Sequence, residues 1–548
     1  MTPRADILFE NGPVFTGVGA LTPAREPVAV VGERIAAVGC DALDLAGRRT
    51  ERVDLGGSLL IPAFQDAHVH PVSAGLALSR CDLSNAGTAR QCLEAVAKFA
   101  ADNPDAAWVV GTGWPLHILL EGATDVALDA VIPDRPAFLT SRDCHSAWVN
   151  SRALELAGIG PDTPNPRDGI IERNAHGQPN GILHEGAIAA IERVLPEISE
   201  DELDRAFDKA QAYLHSLGIA GWQDALVGSA LGMPDGFDVY VRAAVSGRLT
   251  ARVRGALWWD RAQGLDQIDR LCDRRQRGRD AGNGRFDPGS VKIMQDGIIE
   301  NHTASLTEPY VGGNGLRASL VRDGRGISFL ESQPLEEAVV ALDKLGFQLH
   351  FHAIGDRAIR QALDALGAAA SAHGIGDHLH HIAHMQLLDP DDIPKLALLK
   401  VSATMQPLWA CLDDQMKELT VPQIGSQRAA WQYPLAALVD AGVSLAFGSD
   451  WPISSPDPIA GLHVAVNRTV PAVDDKPLGG HQRIALGQAL RAYTDGAARI
   501  NHLHDTGRIC PGMIADLAVL ENDPFDRPVS EIYDNWTIAT YVAGKQVS

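Results

Sequence analysis

Apolar segments that alternate with helix-like segments between residues 59 and 452 constrain the fold more than any other feature of this chain. Such alternation predicts a parallel sheet, because each helical connection returns the chain to the same end of the sheet. Eight units of this kind predict a (β/α)₈ barrel of the TIM type. The predicted strands lie within residues 59–70, 218–225, 253–259, 290–297, 347–356, 380–386, 400–407 and 444–452.

The predicted barrel helices cover 200–216, 334–345, 357–373 and 390–399. Three parts of the chain depart from this alternation. The region of about 72–215 lacks a regular strand–helix rhythm, and we predict that it is a large insertion that covers the active site. Residues 312–332 are predicted to form a glycine-rich loop. Both chain ends are rich in short apolar segments punctuated by Gly and Asn, which predicts that they pair into one small β module.

The composition excludes several classes of protein. The formal net charge of −22 argues against a nucleic-acid-binding surface and gives no support for binding to an anionic membrane. The seven cysteines are scattered, without a CxxC pair, which favours reduced thiols and a cytoplasmic location. There is no run of about 18 apolar residues and no basic start of the signal-peptide type. Neither a phosphate-binding loop nor a GxSxG nucleophile motif is present.

Candidate metal ligands stand where the predicted strands end. His68 and His70 are two residues apart, so a strand would place both imidazoles on one face. His352, His384 and Asp450 end three further strands. Because barrel active sites are built from the carboxyl ends of different strands, we expect these side chains to converge. Four imidazoles and one carboxylate form a ligand set that suits zinc.

Neighbouring polar residues leave alternatives open. Lys292 lies among apolar residues of a predicted strand and is either a site residue or an ion-paired core lysine. Asp66 either supports His68 or has a structural role. His350 shares a face with His352 but lies deeper. By the alternation of a regular strand, His380 is expected on the face of His384, and His381 is expected to face the helices.

The combined motifs resemble the amidohydrolase superfamily, in the family 3 branch that includes the N-substituted formamide deformylases. The resemblance covers nearly the whole chain. It is carried by DAHVHP, SRDCHSAWVNSRALELAGI, VKIMQDGIIENHTASLTEPY, HAIGDRAI, AHMQ, GSDWPISSPDP and TDGAARINHLHDTGRICPGMIADLAVLENDPF. It implies a distorted (β/α)₈ barrel over residues 62–504 and a small β-sandwich domain made of residues 1–61 and 505–548.

The resemblance also implies roles for the candidate ligands. The binuclear members of the family hold two zinc ions, and their pattern maps onto His68, His70, Lys292, His352, His384 and Asp450. Lys292 would be carbamylated by CO₂ and bridge the two ions, and Asp450 would both bind metal and move protons. A mononuclear site with an unmodified lysine is the alternative, and the same ligands could accept Mn, Co, Ni or Fe.

Residues around the expected site are assigned more loosely. His145 resembles a pocket histidine of this branch, and its alternatives are oxyanion stabilisation and a structural role. Asn301 and His302 follow Lys292 closely and are expected to line the pocket. Three tryptophans near predicted strand ends are candidates for an apolar substrate wall, with core packing as the alternative: Trp114, Trp409 and Trp451.

These observations predict a zinc-dependent amidohydrolase that cleaves the C–N bond of a small amide, such as an N-substituted formamide. One alternative keeps the metal site but hydrolyses a carbamate, urea, ester or lactone. The other is a non-catalytic binding protein on a retained barrel, which the intact ligand set disfavours. The expected partner is a small molecule, neither nucleic acid nor membrane, and the resemblance implies a possible homodimer.

Overall fold

The strands and helices follow the predicted alternation in the central part of the chain. The structure is a computed structural model that describes residues 4–121, 123–311, 323–473 and 476–548, so residues 312–322 of the predicted glycine-rich loop lie outside the described part. The strands are β1 (Ile7–Glu10), β2 (Val28–Val31), β3 (Arg34–Val38), β4 (Glu51–Asp54), β5 (Leu59–Pro62), β6 (Phe64–Val69), β7 (Cys81–Asp82), β8 (Val109–Trp114), β9 (Ala137–Ser141), β10 (Ser146–Val149), β11 (Gly169–Arg173), β12 (Pro179–Glu185), β13 (Ile219–Val227), β14 (Arg252–Trp258), β15 (Phe286–Met294), β16 (Gln348–Ala353), β17 (His381–His384), β18 (Ser402–Met405), β19 (Leu445–Phe447), β20 (Leu517–Leu520), β21 (Thr537–Val542) and β22 (Lys545–Gln546).

Helices follow most of the barrel strands. The α-helices are α1 (Cys40–Asp44), α2 (Pro71–Ala77), α3 (Ala89–Asp102), α4 (Asp125–Val131), α5 (Ser151–Leu156), α6 (Ala189–Glu192), α7 (Glu200–Ser216), α8 (Phe237–Val245), α9 (Ile268–Ala281), α10 (Ser332–Lys344), α11 (Asp356–His373), α12 (Ile393–Leu398), α13 (Val421–Ala429), α14 (Leu435–Asp440), α15 (Pro458–Asn467), α16 (Leu486–Arg491) and α17 (Ala497–Ile500). Among the described residues, no helix combines the length and apolar character needed to cross a bilayer.

The central sheet is a parallel barrel of eight strands in the order β6, β13, β14, β15, β16, β17, β18 and β19. The seam between β19 and β6 is closed by hydrogen bonds beyond the regular ladders. The Asp450 amide donates to the His68 carbonyl at 2.7 Å, and the His70 amide donates to the Trp451 carbonyl at 2.9 Å. The two chain segments that carry the predicted first metal site are therefore held together by the closure of the barrel.

Side-chain alternation gives the barrel an apolar outer face and a polar interior. On β16, Leu349 and Phe351 are fully buried in the layer between barrel and helices. His350 and His352 lie on the other face of the same strand and are buried inside the barrel, beside His68 and His384 respectively. This two-residue period is what brings histidines of several strands to one interior space.

Both chain ends contribute to a small β domain beside the barrel. One sheet has the order β3, β2, β1, β4, and the other has the order β22, β21, β20, β5. Apolar side chains from both sheets share one core, in which the Phe9 and Tyr541 rings meet edge to face at 5.2 Å. The predicted fold class, a TIM-type barrel with a small β domain formed from both ends, is confirmed.

The predicted insertion contains a separate mixed sheet in the order β11, β12, β10, β9, β8, β7. Its apolar side chains form one core within the insertion and share a second with residues such as Ile299 and Leu387. In the shared core, Trp114 and Trp148 pack at 6.3 Å between ring centroids. One edge of this layer, including Asp143 and His145, faces the mouth of the barrel. The insertion therefore supplies part of the wall around the site.

Two neighbouring histidines, His380 just before β17 and His381 at its start, face opposite to the prediction. His381 lies inside the barrel, with its ring centroid 4.1 Å from that of His350, while His380 reaches outward to Asp343 of α10. The predicted faces of His380 and His381 are therefore wrong. The physical reason is that His384 has a φ of 73°, outside the extended region, so strict alternation ends before this residue.

Asp343 forms a hydrogen-bonded cluster with three histidines on the outside of the barrel. It accepts hydrogen bonds from His373 at 2.7 Å, His378 at 2.8 Å and His380 at 3.1 Å. Because Nδ1 of His380 accepts the amide of Leu349, its Nε2 carries a proton and has no lone pair for a metal. Burial opposes ionisation, but the three hydrogen bonds outweigh it and lower the pKa of Asp343 below its usual range.

Replacement of Asp343 by asparagine is expected to lower the free energy of unfolding by about 1–3 kcal/mol at pH 7, because three histidine donors lose a charged acceptor. A carboxyl group with a lowered folded pKa stabilises the fold above its ordinary pKa, and this contribution is lost as the pH falls below about 4. The difference between wild type and Asp343→Asn should therefore shrink on acidification, as measured by urea titration at several pH values. Asp364→Asn on exposed α11 surface is the control and should change stability by less than about 1 kcal/mol. A difference that is independent of pH would contradict this role.

Candidate active site

The first predicted ligand pair lies where β6 ends and α2 begins. His68 is buried inside the barrel, and His70 precedes Pro71 at the start of α2. Nε2 of His68 lies 3.2 Å from Oδ1 of Asp450, and Nε2 of His70 lies 3.0 Å from the same oxygen. The three donor atoms all lie within 4.8 Å of one another. The structure thus brings together residues that are widely separated in the sequence.

Asp450 is held at this point by its backbone and by Asp66. It follows β19 with a φ of 59°, a left-handed conformation that side chains other than Gly adopt rarely. Asp66 accepts hydrogen bonds from the His68 amide and from both the amide and the hydroxyl of Ser449. Burial opposes ionisation of Asp450, but the neighbouring histidines His68, His70 and His384 hold its pKa well below the usual range. Asp450 is therefore held as an anion beside the two histidines.

His352 and His384 lie beside the first ligand group. Their ring centroids are 4.5 Å apart, and that of His384 is 4.7 Å from His68. Nδ1 of His384 lies 2.8 Å from Oε1 of Gln406, which leaves its Nε2 free to bind a metal. The ring of His384 is also stacked on Trp409, with a centroid distance of 5.4 Å. These contacts fix the orientation of His384.

Lys292 reaches the same space from β15. Its Nζ lies 3.3 Å from Nε2 of His68, and the side chain is almost fully buried. Burial lowers the pKa of Lys292 to about 7 despite the opposing charges of Asp450 and Asp224. A substantial fraction of the neutral amine is therefore present at neutral pH, and it is the neutral amine that reacts with CO₂.

The side chains present fit a divalent ion of the zinc type. Tetrahedral zinc with ligands at about 2.1 Å holds its ligand atoms about 3.4 Å apart. The separations of 3.2 Å and 3.0 Å between Asp450 and the two histidines are close to this value. The His352 and His384 rings lie next to this group, with centroids 4.5 Å apart.

His145 faces the site from the insertion and is supported by Glu185. Nδ1 of His145 lies 2.9 Å from Oε2 of Glu185, and the His145 ring centroid is 5.4 Å from that of His352. Burial opposes protonation, but the charge and hydrogen bond of Glu185 outweigh it and raise the pKa of His145 to about 9. Thr303 donates a second hydrogen bond to Glu185 at 2.7 Å. His145 is therefore a cationic donor above the ligand group.

A cavity of about 760 Å³ opens over these residues, within the usual size range of small-molecule sites. Trp409 and Trp451 both line it, and their contact with substrate stays a prediction. Further apolar lining comes from Leu226, Met233 and Trp258. The charged side chains in its wall are mainly acidic and include Asp82, Asp143, Glu300 and Asp413, with Arg142 among them.

Three predicted substrate residues lie elsewhere. Trp114 is fully buried in the core of the insertion and donates its indole N–H to the Leu139 carbonyl at 2.8 Å. Asn301 donates to Ser146 at 3.0 Å, directly behind His145. His302 lies 2.6 Å from Gln423 and packs against Tyr310. None of these three side chains is among those that line the cavity.

The sequence did not reveal two residues that orient site histidines by hydrogen bonds: Glu185, which holds His145, and Gln406, which holds His384. Glu185 ends β12 within the insertion, where no barrel rule assigns strand ends to the site, and it has a φ of 52°. Gln406 follows β18 and holds His384. The available signal for Gln406 was its position at a predicted strand end.

A parallel barrel with a buried nitrogen and oxygen ligand set at its carboxyl end defines a metal-dependent hydrolase. The model of the amidohydrolase family matches residues 51–548 of the chain. The chain therefore belongs to the amidohydrolase family, and the family predicted from the motifs is confirmed.

Individual relatives resemble the chain over nearly its full length. It is 30% identical to Protein LONG AFTER FAR-RED 3 of Arabidopsis thaliana, over 99% of this chain and 91% of the relative. It is 28% identical to N-substituted formamide deformylase of Arthrobacter pascens, over 99% and 98% of the two chains. An uncharacterized metal-dependent hydrolase from Pyrococcus furiosus has a similar structure, with a TM-score of 0.69, 26% identity and coverage of 94% and 99%.

Proposed function

We propose that this protein is a zinc-dependent amidohydrolase that hydrolyses the C–N bond of a small amide such as an N-substituted formamide. The convergence of His68, His70 and Asp450 at the base of the cavity carries this proposal. The similarity to N-substituted formamide deformylase supports the substrate class. Lys292, His352 and His384 complete the proposed ligand set, and a carbamylated Lys292 would add an anionic ligand for a second ion.

The residues divide the chemistry among them. A zinc ion held by His68, His70 and Asp450 would polarise the amide carbonyl and would make water a nucleophile near neutral pH. Asp450 accepts a proton from the attacking water and later passes it to the departing nitrogen. His145, oriented by Glu185, donates a hydrogen bond to the carbonyl oxygen as negative charge develops there. The tetrahedral intermediate then loses the amine and leaves a carboxylic acid.

The cavity wall accounts for the expected substituent on nitrogen. Trp409 and Trp451, together with Leu226, Met233 and Trp258, offer an apolar surface next to the ligand group. An alkyl or aryl group on the amide nitrogen would be buried there, while the acyl carbon faces Asp450 and His145. Hydrolysis then requires only that the acyl part be small enough to reach the ligands.

The test combines metal content, intact mass and substrate range on protein purified without added metal. We expect about two zinc ions per chain and the added mass of one CO₂ under conditions that preserve such adducts. Hydrolysis of N-alkyl and N-aryl formamides should exceed that of matched acetamides, ureas, carbamates and lactones. Removal of metal by a chelator should abolish the activity, and zinc should restore it.

Two other results would revise or overturn the proposal. One metal ion without a CO₂ adduct would indicate a mononuclear site with unmodified Lys292. If the protein binds metal but hydrolyses ureas, carbamates or lactones faster than formamides, its substrate belongs to one of those classes instead. Absence of bound metal, with no hydrolysis of any of these compounds after zinc is added, would overturn the enzymatic function.

A further inference from the structure

Polar side chains fill the barrel interior beneath His68, where TIM barrels usually have apolar layers. Four of them form what we call the interior column: Gln348, Gln223, His350 and His68. Each is 1% exposed or less. Because buried polar groups need hydrogen-bond partners, the positions of the protons along this column can be worked out from its fixed end.

The fixed end is the amide of Gln348. Its Nε2 lies 2.8 Å from the Leu379 carbonyl and 2.9 Å from the Ile500 carbonyl. Carbonyl oxygens only accept hydrogen bonds, so the NH₂ group of Gln348 must point towards them. Its Oε1 then points the other way and accepts hydrogen bonds from Gln223 Nε2 at 3.2 Å and from the Ser290 hydroxyl.

The orientation of Gln223 follows from that of Gln348. With its NH₂ group donating to Gln348, its Oε1 faces two histidines, His350 Nδ1 at 2.6 Å and His381 Nε2 at 3.0 Å. Both nitrogens must therefore carry protons. The remaining nitrogen of His381 accepts the Thr404 hydroxyl at 2.7 Å, which agrees with this assignment.

The proton position on His350 in turn determines the proton position on His68. The two nitrogens of the fully buried His350 face Gln223 and His68 and no carboxylate, so this ring is neutral. A histidine that binds a metal is neutral as well. With its proton on Nδ1, His350 has a lone pair on Nε2, which accepts the Nδ1 proton of His68 at 2.9 Å. Nε2 of His68 is left with a lone pair that faces Oδ1 of Asp450 at 3.2 Å. Two lone pairs facing each other at this distance are stabilised by a cation between them.

We propose that Gln223 and His350 are positioning residues that fix the tautomer of His68, so that its Nε2 is the atom that binds the metal. This inference rests on the metal site of the proposed function. Partners of this kind orient a ligand and keep its proton off the coordinating nitrogen, and their loss typically weakens metal binding by about 10–100-fold. The two carbonyls at Leu379 and Ile500 thus decide which nitrogen of His68 is free.

The chain offers a matched pair of variants for the test. His350 and His381 are both fully buried, lie 4.1 Å apart between ring centroids and bind the same oxygen of Gln223. Only His350 contacts His68. His350→Phe should weaken zinc binding by about 10–100-fold, whereas His381→Phe should leave it within about threefold of wild type. Zinc affinity is measured by competition with a chromophoric chelator, and the melting temperature of the metal-free protein is measured in parallel.

Gln223→Leu provides a second route to the same outcome. Without its oxygen acceptor, His350 can move its proton to Nε2 and force His68 to carry a proton on the metal-binding nitrogen. We expect zinc binding to weaken about as much as in His350→Phe. The absorption spectrum of the Co²⁺-loaded protein should change in both variants and remain as in wild type in His381→Phe.

The outcomes separate this inference from the proposed function. If the wild-type protein binds no zinc, the metal site itself is wrong. If the wild type binds zinc tightly and His350→Phe and His381→Phe weaken it equally, in step with their melting temperatures, then His350 has only a structural role and the inference is overturned. A selective loss in His350→Phe and Gln223→Leu supports it.

Discussion

Asp450→Asn is expected to lower kcat for amide hydrolysis by about 10²–10⁴-fold, because the variant lacks the group that accepts a proton from water and returns it to the leaving nitrogen. Asparagine is a suitable replacement at this position, since Asp450 has a φ of 59° and asparagine tolerates the left-handed region well. The change therefore removes charge and basicity with little effect on the backbone. Steady-state kinetics at saturating zinc and substrate measure the loss.

A second measurement separates proton transfer from metal binding. Asp450 Oδ1 contacts both His68 and His70, so Asp450→Asn also weakens the ligand set, and the metal content of the assayed protein must be determined. Asp343→Asn makes the same chemical change on the outside of the barrel and should retain kcat within about twofold while losing stability. If Asp450→Asn with a full metal content retains kcat within about threefold, Asp450 is not the proton-transfer group.

The barrel could be predicted because its signals are local. Each strand–helix unit of a parallel sheet can be recognised from its apolar run and the helix-like segment that follows, without knowledge of tertiary contacts. The number of such units then predicts the barrel. Strand ends then place His68, His352 and Asp450 at one edge of the sheet, since the carboxyl ends of parallel strands meet there. The same reasoning reached His384, although the face of His384 within its strand depends on a backbone angle that the sequence does not display.

The predictions that failed concern residues whose side-chain positions depend on local backbone angles or on the inserted sheet. His381 faces inward because alternation ends before His384, and a regular strand model cannot anticipate that break. Trp114 follows Gly113, whose φ of 102° accompanies a register shift between β8 and β9, and its indole packs in an apolar core on the insertion side. Glu185 belongs to that insertion, which has its own sheet order, so no strand-end rule of the barrel applies to it.

Removal of the Lys292 side chain in Lys292→Ala is expected to lower kcat by about 100-fold or more, because the proposed carbamate bridge is lost and with it several kcal/mol of transition-state stabilisation. Carbamylation joins the neutral amine to CO₂, forms an N–C bond and releases a proton, so an uncharged side chain becomes an anion. Burial holds the pKa of Lys292 at about 7, which provides the neutral amine that this reaction needs.

Chemical rescue then distinguishes an anionic bridge from an amine. The variant leaves a buried space beside His68 that a short carboxylate such as acetate or propionate can enter and fill with negative charge. If Lys292 acts as a carbamate, carboxylates should restore activity in a saturable manner, and ethylamine or propylamine should not. Rescue by amines alone would instead show that unmodified Lys292 acts as a base or hydrogen-bond donor. Lys395→Ala is the matched control, because this lysine of α12 pairs with Asp364 away from the site, and neither this variant nor the wild type should respond to the added carboxylate.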